Sequence, residues 1–399
     1  MPKPKERKEQ TKGASLPIVP ILQKFLRTYE KHCARFQASV SPAIRRDLQG
    51  SIEGFTLIKP DDFSPSARPI SLEPLLTAIQ DEHYMLGKKI CIWGLQLSNA
   101  EIARLASLLE LRGKLTCPFA TVEIIDCKMD LWSLGRLGKA LQFSSLRSLV
   151  LDYCKFGNEE IERLFSGLEK SQRLQVLSLC YCGLGPWCGS RLGVVISQCA
   201  ICELRLDGNY LQCSGALALL RPMAEYAELQ GSHPPPRASP HNGNPPQVQR
   251  ESSTLSPVEK LSEAIRVKTT LGKKKKKKGI KKKAQGLVEA GPWLVKLHLA
   301  DNGIDGKGEE DHLLEFTQIL TCSVIKYSAH LQEIDLGNNA LGEKAAAGIL
   351  AALRARRTGK LPVLKVTVTP RISSDTFRSI WKHSNSSRIN HKKKKKVSS

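Results

Sequence analysis

Apolar residues occur in a fixed frame that returns along most of the chain. Between residues 145 and 156 the sequence is SLRSLVLDYCKF, with leucine at 146, 149 and 151, cysteine at 154 and phenylalanine at 156. Leu149 and Leu151 are two residues apart, the spacing that places both on one face of a β-strand. The frame therefore predicts a short strand with one buried face.

The same frame fits six places at nearly constant spacing. Its cysteine or asparagine position is occupied by Cys127, Cys154, Cys182, Asn209, Asn302 and Asn339. This position advances by 27, 28 and 27 residues through the first four copies and by 37 between the last two, which predicts an insertion of about ten residues there. Degenerate copies flank the set at 90–97 and 361–369. Repetition at this period is typical of a solenoid, in which each repeat packs on its neighbours.

The second half of each repeat has helical spacing. Ile161, Leu164 and Leu168 follow Asn158, which we predict to be a helix N-cap. A similar apolar stripe follows Gly342. Each repeat is therefore predicted to be a short parallel strand followed by a helix.

The frame L-x-x-L-x-L-x-x-C/N-x-L and its 27–28-residue unit resemble the ribonuclease-inhibitor-like class of leucine-rich repeat proteins. The resemblance implies an α/β leucine-rich repeat solenoid (horseshoe), with parallel strands on the concave face and helices on the convex face. An early strand ending at Gly94, a lysine-rich interruption and late repeats also resemble the leucine-rich repeat-containing protein 71 family, which is associated with cilia.

The basic charge lies mostly outside the repeats. Segments 1–13, 231–290 and 371–399 contribute +3, +10 and +8 of the net charge of +23. Segment 231–290 is rich in Pro, Gly, Ser and Lys and cannot bury a core. We predict a disordered tail (1–13), a helical N-terminal cap (14–85), repeats (86–230), a disordered basic insert (231–290), further repeats with a C-terminal cap (291–382) and a disordered lysine-rich tail (383–399).

Nine lysines in the insert are candidate basic contacts. They are Lys273, Lys274, Lys275, Lys276, Lys277, Lys278, Lys281, Lys282 and Lys283. Three interpretations stay open: a solvated linker, a nuclear-localisation or nucleic-acid contact, and attraction to an acidic cytoskeletal or lipid surface. No aromatic residues interleave with these lysines, so any nucleic-acid binding would act through phosphates rather than base stacking.

No catalytic, cofactor or metal site is predicted, and we expect a protein that is not an enzyme. Three of the twelve cysteines occupy the repeat frame, where a thiol is a small buried apolar group and a weak hydrogen-bond donor. Cys199 and Cys202 form a lone C-x-x-C without a second pair. The glycines from Gly183 to Gly189 lack the spacing of a dinucleotide-binding loop.

The outward strand positions and the residues just beyond them form a candidate partner-binding face. Its members are Asp152, Tyr153, Cys180, Tyr181, Glu203, Arg205, Asp207, His298 and Asp335. This face is mildly acidic and carries two adjacent tyrosines, a residue type favoured at protein interfaces. We predict that it binds a basic or amphipathic protein segment, and the chain's own lysine insert is one candidate occupant.

The N-terminal region is predicted to be helical, with helices over 16–36 and 43–55, a third beginning near Leu75, and the first degenerate repeat over 90–109. No apolar run reaches the length of a membrane span, and no signal-peptide core follows the charged start. We therefore expect an intracellular protein, in the cytoplasm and cilium or axoneme, with the nucleus as the alternative.

Overall fold

The computed structural model describes residues 18–50, 54–59, 68–111, 117–232, 294–305, 310–369 and 371–385. Over these residues nine parallel strands form one sheet, in which each strand lies beside its successor along the chain. The strands are β1 Gly54–Ile58, β2 Lys89–Trp93, β3 Thr121–Ile125, β4 Ser148–Val150, β5 Val176–Ser178, β6 Glu203–Arg205, β7 Lys296–His298, β8 Glu333–Leu336 and β9 Lys365–Val368.

Helices follow nearly every strand. They are α1 Ile18–Arg35, α2 Pro42–Gly50, α3 Glu73–Asp81, α4 Asn99–Leu109, α5 Leu131–Leu141, α6 Asn158–Leu168, α7 Trp187–Gln198, α8 Gln212–Ser232, α9 Glu310–Gln318, α10 Gly342–Thr358 and α11 Ser374–Ser384. A π-helical segment, Ile319–Ile325, continues α9. This longer helical half occupies the repeat with the 37-residue step.

The strand register confirms the predicted leucine-rich repeat solenoid. Leu149 is aligned with Leu177, and Leu177 with Leu204, so the same frame position is stacked from repeat to repeat. These leucines are fully buried, and each contributes roughly 1.5 to 3 kcal/mol through its removal from water. The insert between α8 and β7 does not interrupt this register, because Leu204 pairs directly with Leu297.

The cysteine and asparagine positions form a buried ladder that joins successive repeats. Asn209 donates from Nδ2 to the carbonyl oxygens of Leu179 and Leu206, both at 2.8 Å, and its Oδ1 accepts from the backbone N–H of Cys182 at 3.0 Å. In the thiol repeats the contacts are fewer: Cys182 Sγ donates to the Leu151 carbonyl at 3.0 Å. The ladder therefore satisfies loop backbone groups that would otherwise be buried without partners.

The N-terminal region contributes a strand that the sequence analysis missed. The helix predicted over 43–55 is wrong in its second half, because α2 ends at Gly50. Phe55 lies in β1, where it is aligned with Ile90 of β2. Phe55 packs with Phe25 of α1 and with Tyr84, at ring-centroid distances of 5.4 and 5.5 Å. The helical cap is therefore fixed to the sheet through an aromatic cluster.

The predicted N-cap at Asn158 is also wrong. Asn158 is the first residue of α6, and Gly157 occupies the N-cap position without a side-chain cap. Gly157 has the extended backbone of an N-cap, with φ of −77° and ψ of 172°, so the helix begins one residue earlier than predicted. Of the segments predicted to be disordered, 1–13, 233–290 and 386–399 lie outside the described residues, whereas α8 and α11 extend to Ser232 and Ser384.

Side chains from neighbouring helices accept hydrogen bonds from backbone N–H groups of both edge strands of the sheet. Asp47 of α2 accepts the N–H of Thr56 in β1 at 2.8 Å. Ser384 of α11 accepts the N–H of Val366 in β9 at 3.1 Å. These contacts hinder the pairing of a further strand at either edge, a hazard that natural sheets avoid.

In the helix layer, glycines let two pairs of neighbouring helices pack closely. A Cβ at Gly167 of α6 would lie 2.2 Å from the carbonyl oxygen of Gly138 in α5, and one at Gly189 of α7 would lie 1.9 Å from that of Gly215 in α8. The two backbones therefore touch, which only glycine allows. The buried side chain of Arg356 in α10 donates hydrogen bonds to the carbonyl oxygens of Ile325, Ser328, Leu331 and Pro362.

Candidate functional site

Seven strands in succession, β2 to β8, are followed by one residue in the left-handed backbone conformation. It stands directly before the ladder position, or before Leu95 in the degenerate repeat, with φ between 51° and 71°. The seven residues are Gly94, Asp126, Tyr153, Tyr181, Gly208, Asp301 and Asn338. Five of them are Gly, Asp or Asn, the residue types that tolerate this conformation. The repeat frame therefore sets a requirement that two tyrosines do not meet.

Tyr153 and Tyr181 keep this conformation although they are bulky residues, for which it costs roughly 1 to 2 kcal/mol each. Their rings are stacked face to face, with centroids 4.8 Å apart and planes inclined by 4°. The side chains remain 50% and 41% exposed. The two adjacent repeats therefore hold a pair of aromatic rings at the surface.

Gly208 provides the space for the second ring. A Cβ at this position would lie 2.1 Å from Cε1 of Tyr181, so the ring lies directly over the glycine backbone. Glycine is thus required twice, for its φ of 68° and for the close approach of the ring. We refer to Tyr153, Tyr181 and Gly208 as the tyrosine shelf.

Carboxylates border the tyrosine shelf. Asp126 and Asp301, exposed at the equivalent backbone position, lie in the repeats on either side. Burial raises the pKa of Tyr181, and the charges of Tyr153, Asp301 and Asp207 raise it further. The environment of the shelf is therefore negative.

The predicted aspartates accept hydrogen bonds from backbone N–H groups, two of them in the next repeat. Asp152 accepts the Ser178 hydroxyl at 2.7 Å and the N–H of Cys180 at 2.9 Å through Oδ1. Asp207 accepts the N–H of Ala300 at 2.8 Å, and burial raises its pKa. Asp335 accepts the N–H of Gly337, two residues along its own chain, at 2.8 Å. These carboxylates are therefore positioned by the sheet itself.

The charged residues at the middle of the strand face neutralise one another. Glu203 is an ion-pair partner of Lys296 at 2.9 Å and of Arg205. Burial acts to raise the pKa of Glu203, but the hydrogen bonds from the two cations outweigh it and leave the pKa lowered. Glu333 is paired with Lys365 in the same way. The acidic character of the face is therefore concentrated beside the tyrosine shelf.

Three of the predicted contact residues, Cys180, Glu203 and His298, are less accessible than the frame suggested, and Glu203 is only 9% exposed. Cys180 is only 8% exposed, with its Sγ 3.4 Å from the Ser178 hydroxyl, and burial raises its pKa to about 11. The prediction of Cys180 as a surface contact is wrong, because its side chain is buried against the Ser178 hydroxyl. His298 is half-buried, with Nδ1 3.9 Å from Asp207, and its Nε2 has no hydrogen-bond partner among the described residues.

The other candidates do not join this site. The nine insert lysines lie outside the described residues. Cys199 is buried and Cys202 half-buried, and within the described ranges no three His, Cys, Asp or Glu side chains converge as metal ligands. Gly183, directly after the ladder residue Cys182, has the left-handed conformation, with φ of 78°. No described helix is long and apolar enough to cross a membrane.

Three residues of this site were missed from the sequence. Asp126, Gly208 and Asp301 stand at the same frame position as Tyr153 and Tyr181, directly before the ladder residue. An alignment of that position across the repeats would have found them.

The chain is similar to known repeat proteins. A family described as Leucine Rich repeat matches residues 292–308. The ribonuclease inhibitors of Sus scrofa and Mus musculus are 25% identical to it over 265 and 271 residues, which cover 65% of this chain and 52% of each relative. The chain thus spans about half the length of the curated relatives it matches. The predicted resemblance to the ciliary repeat family stays a prediction.

Proposed function

We propose that this chain, a leucine-rich repeat protein of the ribonuclease-inhibitor-like class, is a non-catalytic scaffold whose tyrosine shelf anchors a basic or amphipathic segment of a partner protein. The observation that carries the proposal is the stacked pair Tyr153 and Tyr181, exposed and held in a costly backbone conformation. Strain of this kind persists at binding and catalytic sites more than elsewhere.

The chemistry of the shelf favours a cation with an apolar stem. Tyr153, which is 50% exposed, can attract Lys or Arg through the ring face that is not stacked on Tyr181, and the long stems of these residues cover apolar surface. Asp126 and Asp301 add negative charge on either side. Tyrosine is among the residues that dominate binding energy at protein interfaces. The matched relatives are named for inhibiting ribonucleases, which are themselves proteins, and this supports a protein ligand.

Binding can be tested with a fluorescein-labelled amphipathic peptide of Arg and Leu, followed by fluorescence anisotropy with the full chain. Replacing Tyr153 and Tyr181 together by asparagine, which tolerates the backbone conformation, is expected to weaken binding about tenfold or more. The control is Trp381→Ala, which removes a 58% exposed aromatic from α11. Equal affinity in the tyrosine double variant and the wild type would overturn the proposal.

The location is part of the same proposal. A partner-binding repeat protein with lysine runs suits an acidic cytoskeletal surface such as the axoneme, and the alternative is a nuclear factor that contacts nucleic acid through those runs. Imaging of the tagged full chain, with and without 271–283 and 392–396, separates the two. Filament or cilium signal supports the scaffold, whereas nuclear signal that is lost on deletion supports the alternative.

A further inference from the structure

A basic groove lies on the helix side of the solenoid, between α5 and α6. It encloses about 850 Å³ and is lined by Trp132, Gly135, Arg136, Lys139, Arg163 and Lys170. Asp130, the N-cap of α5, also lines it, but its carboxylate accepts the N–H of Ser133 at 2.8 Å. The groove therefore presents four cations against one carboxylate that is already engaged.

The floor of the groove exists because α5 and α6 touch through glycine. Gly138 and Gly167 bring the two backbones together, and Gly135, one turn earlier in α5, leaves space above them. A Cβ at Gly135 would lie 3.7 Å from Cβ of Arg163, an ordinary van der Waals distance. The space is thus open to a side chain, either from this chain or from a ligand.

The cations of the groove differ in their freedom. Arg136 is fixed by two hydrogen bonds to Glu110, at 2.6 and 2.8 Å. Lys139, Arg163 and Lys170 are exposed and have no ion-pair partner among the described residues. Trp132, half-exposed, provides an apolar wall beside them. Unpaired cations around an aromatic ring form a surface that complements acidic and apolar side chains together.

The positive surface is short. In α7, the helix that follows α6, Arg191 is paired with Glu162 at 2.6 Å and with Glu169 at 2.7 Å. On the opposite side Arg136 is paired with Glu110. A nucleic-acid backbone needs cations along a longer track, so the bounded groove favours a short peptide. The chain's own insert, at +10, has the wrong charge to fill it.

We infer that the groove between α5 and α6 is a second docking site, which binds an acidic protein segment with an apolar side chain seated against Trp132. It is separate from the tyrosine shelf, which lies at the ends of the strands. A scaffold with two surfaces of opposite preference can hold a basic and an acidic partner at once, and the α5–α6 groove does not depend on the proposed function of the shelf.

The probe is a fluorescein-labelled peptide of Glu and Leu, titrated with the full chain in an anisotropy assay. Gly135→Met fills the groove, keeps the charge and favours the helix, so its thermal unfolding should match that of the wild type. We expect it to weaken peptide binding about tenfold, as should the pair Lys139→Gln and Arg163→Gln.

The charge-matched control is the pair Lys275→Gln and Lys276→Gln in the insert, which should change affinity less than about twofold. Equal loss in the groove pair and the insert pair would overturn the inference, because the peptide would then respond to net charge alone. Unchanged affinity of the folded Gly135→Met variant would overturn it as well. If a single-stranded oligonucleotide binds more tightly than the peptide, and Gly135→Met weakens its binding, the ligand of the groove is nucleic acid and the inference of an acidic peptide is overturned.

Discussion

Replacing Gly208 with alanine separates the two demands that the tyrosine shelf makes on this residue. Its φ is 68°, and a Cβ would lie 2.1 Å from Cε1 of Tyr181. The left-handed backbone alone costs an alanine about 1 kcal/mol. The ring must also move away, which removes the stacking with Tyr153, worth about 1 kcal/mol. We therefore expect Gly208→Ala to lower the free energy of unfolding by about 2 kcal/mol.

Gly303 supplies the matched control. Its φ is 66°, yet a Cβ there would have nothing within 4 Å. Gly303→Ala should therefore show the backbone cost alone, about 1 kcal/mol. Combining Gly208→Ala with Tyr181→Asn should reduce the cost of the glycine substitution to about the same value, because no ring remains to be displaced.

Urea denaturation followed by circular dichroism measures the free energy of unfolding of these three variants and of Tyr181→Asn alone. The reasoning fails if Gly208→Ala and Gly303→Ala have the same effect in the wild-type background, since the ring would then not lie over Gly208. It fails equally if Tyr181→Asn leaves the cost of Gly208→Ala unchanged. A change in the slope of unfolding with urea would show that two-state behaviour has been lost, and the comparison would then use the midpoints.

Four further predictions concern the scaffold. Asn209→Ala should destabilise the fold by roughly 2 to 3 kcal/mol, measured by urea denaturation, because it leaves buried backbone groups without partners. Arg356→Met should cost at least about 3 kcal/mol in the same assay, since it removes the donors of four carbonyl groups. Burial raises the pKa of Asp207 in the folded state. Its contribution to stability is therefore present at acid pH and is lost as the pH rises through this folded-state pKa. Asp207→Asn should abolish this pH dependence, measured as urea midpoints across the acid range. In native protein, alkylation followed by mass spectrometry should label exposed Cys322 well before Cys154, whose burial raises its pKa to about 12.

The repeat frame made the strands and the ladder predictable. Cys154 and Asn209 mark the end of a strand because their side chains donate to buried backbone carbonyls, so one position in the sequence reports a buried hydrogen-bond network. The same logic could not find β1, since its strand carries no ladder cysteine or asparagine and its apolar residues, Phe55 and Leu57, follow directly on a helical pattern.

The candidate sites were less accessible to sequence reasoning. The tyrosines were recognised as neighbours, but their stacking depends on the backbone conformation before the ladder residue, and so does the role of Gly208. Cys180 is buried although alternation along the strand places it on the outward face, so its burial could not be predicted from the strand period. The groove beside Gly135 depends on which helix faces meet, and the period of one helix says nothing about its partner.

The change from thiol to amide along the ladder gives the solenoid a direction. Cys127, Cys154 and Cys182 join the earlier repeats through weak sulfur contacts, whereas Asn209, Asn302 and Asn339 join the later ones through amide groups. In a linear array whose stability is a sum of nearest-neighbour couplings, the strongest couplings form first and break last. Folding would then begin in the asparagine half and advance towards the N-terminus, and amide hydrogen exchange would proceed in the reverse order.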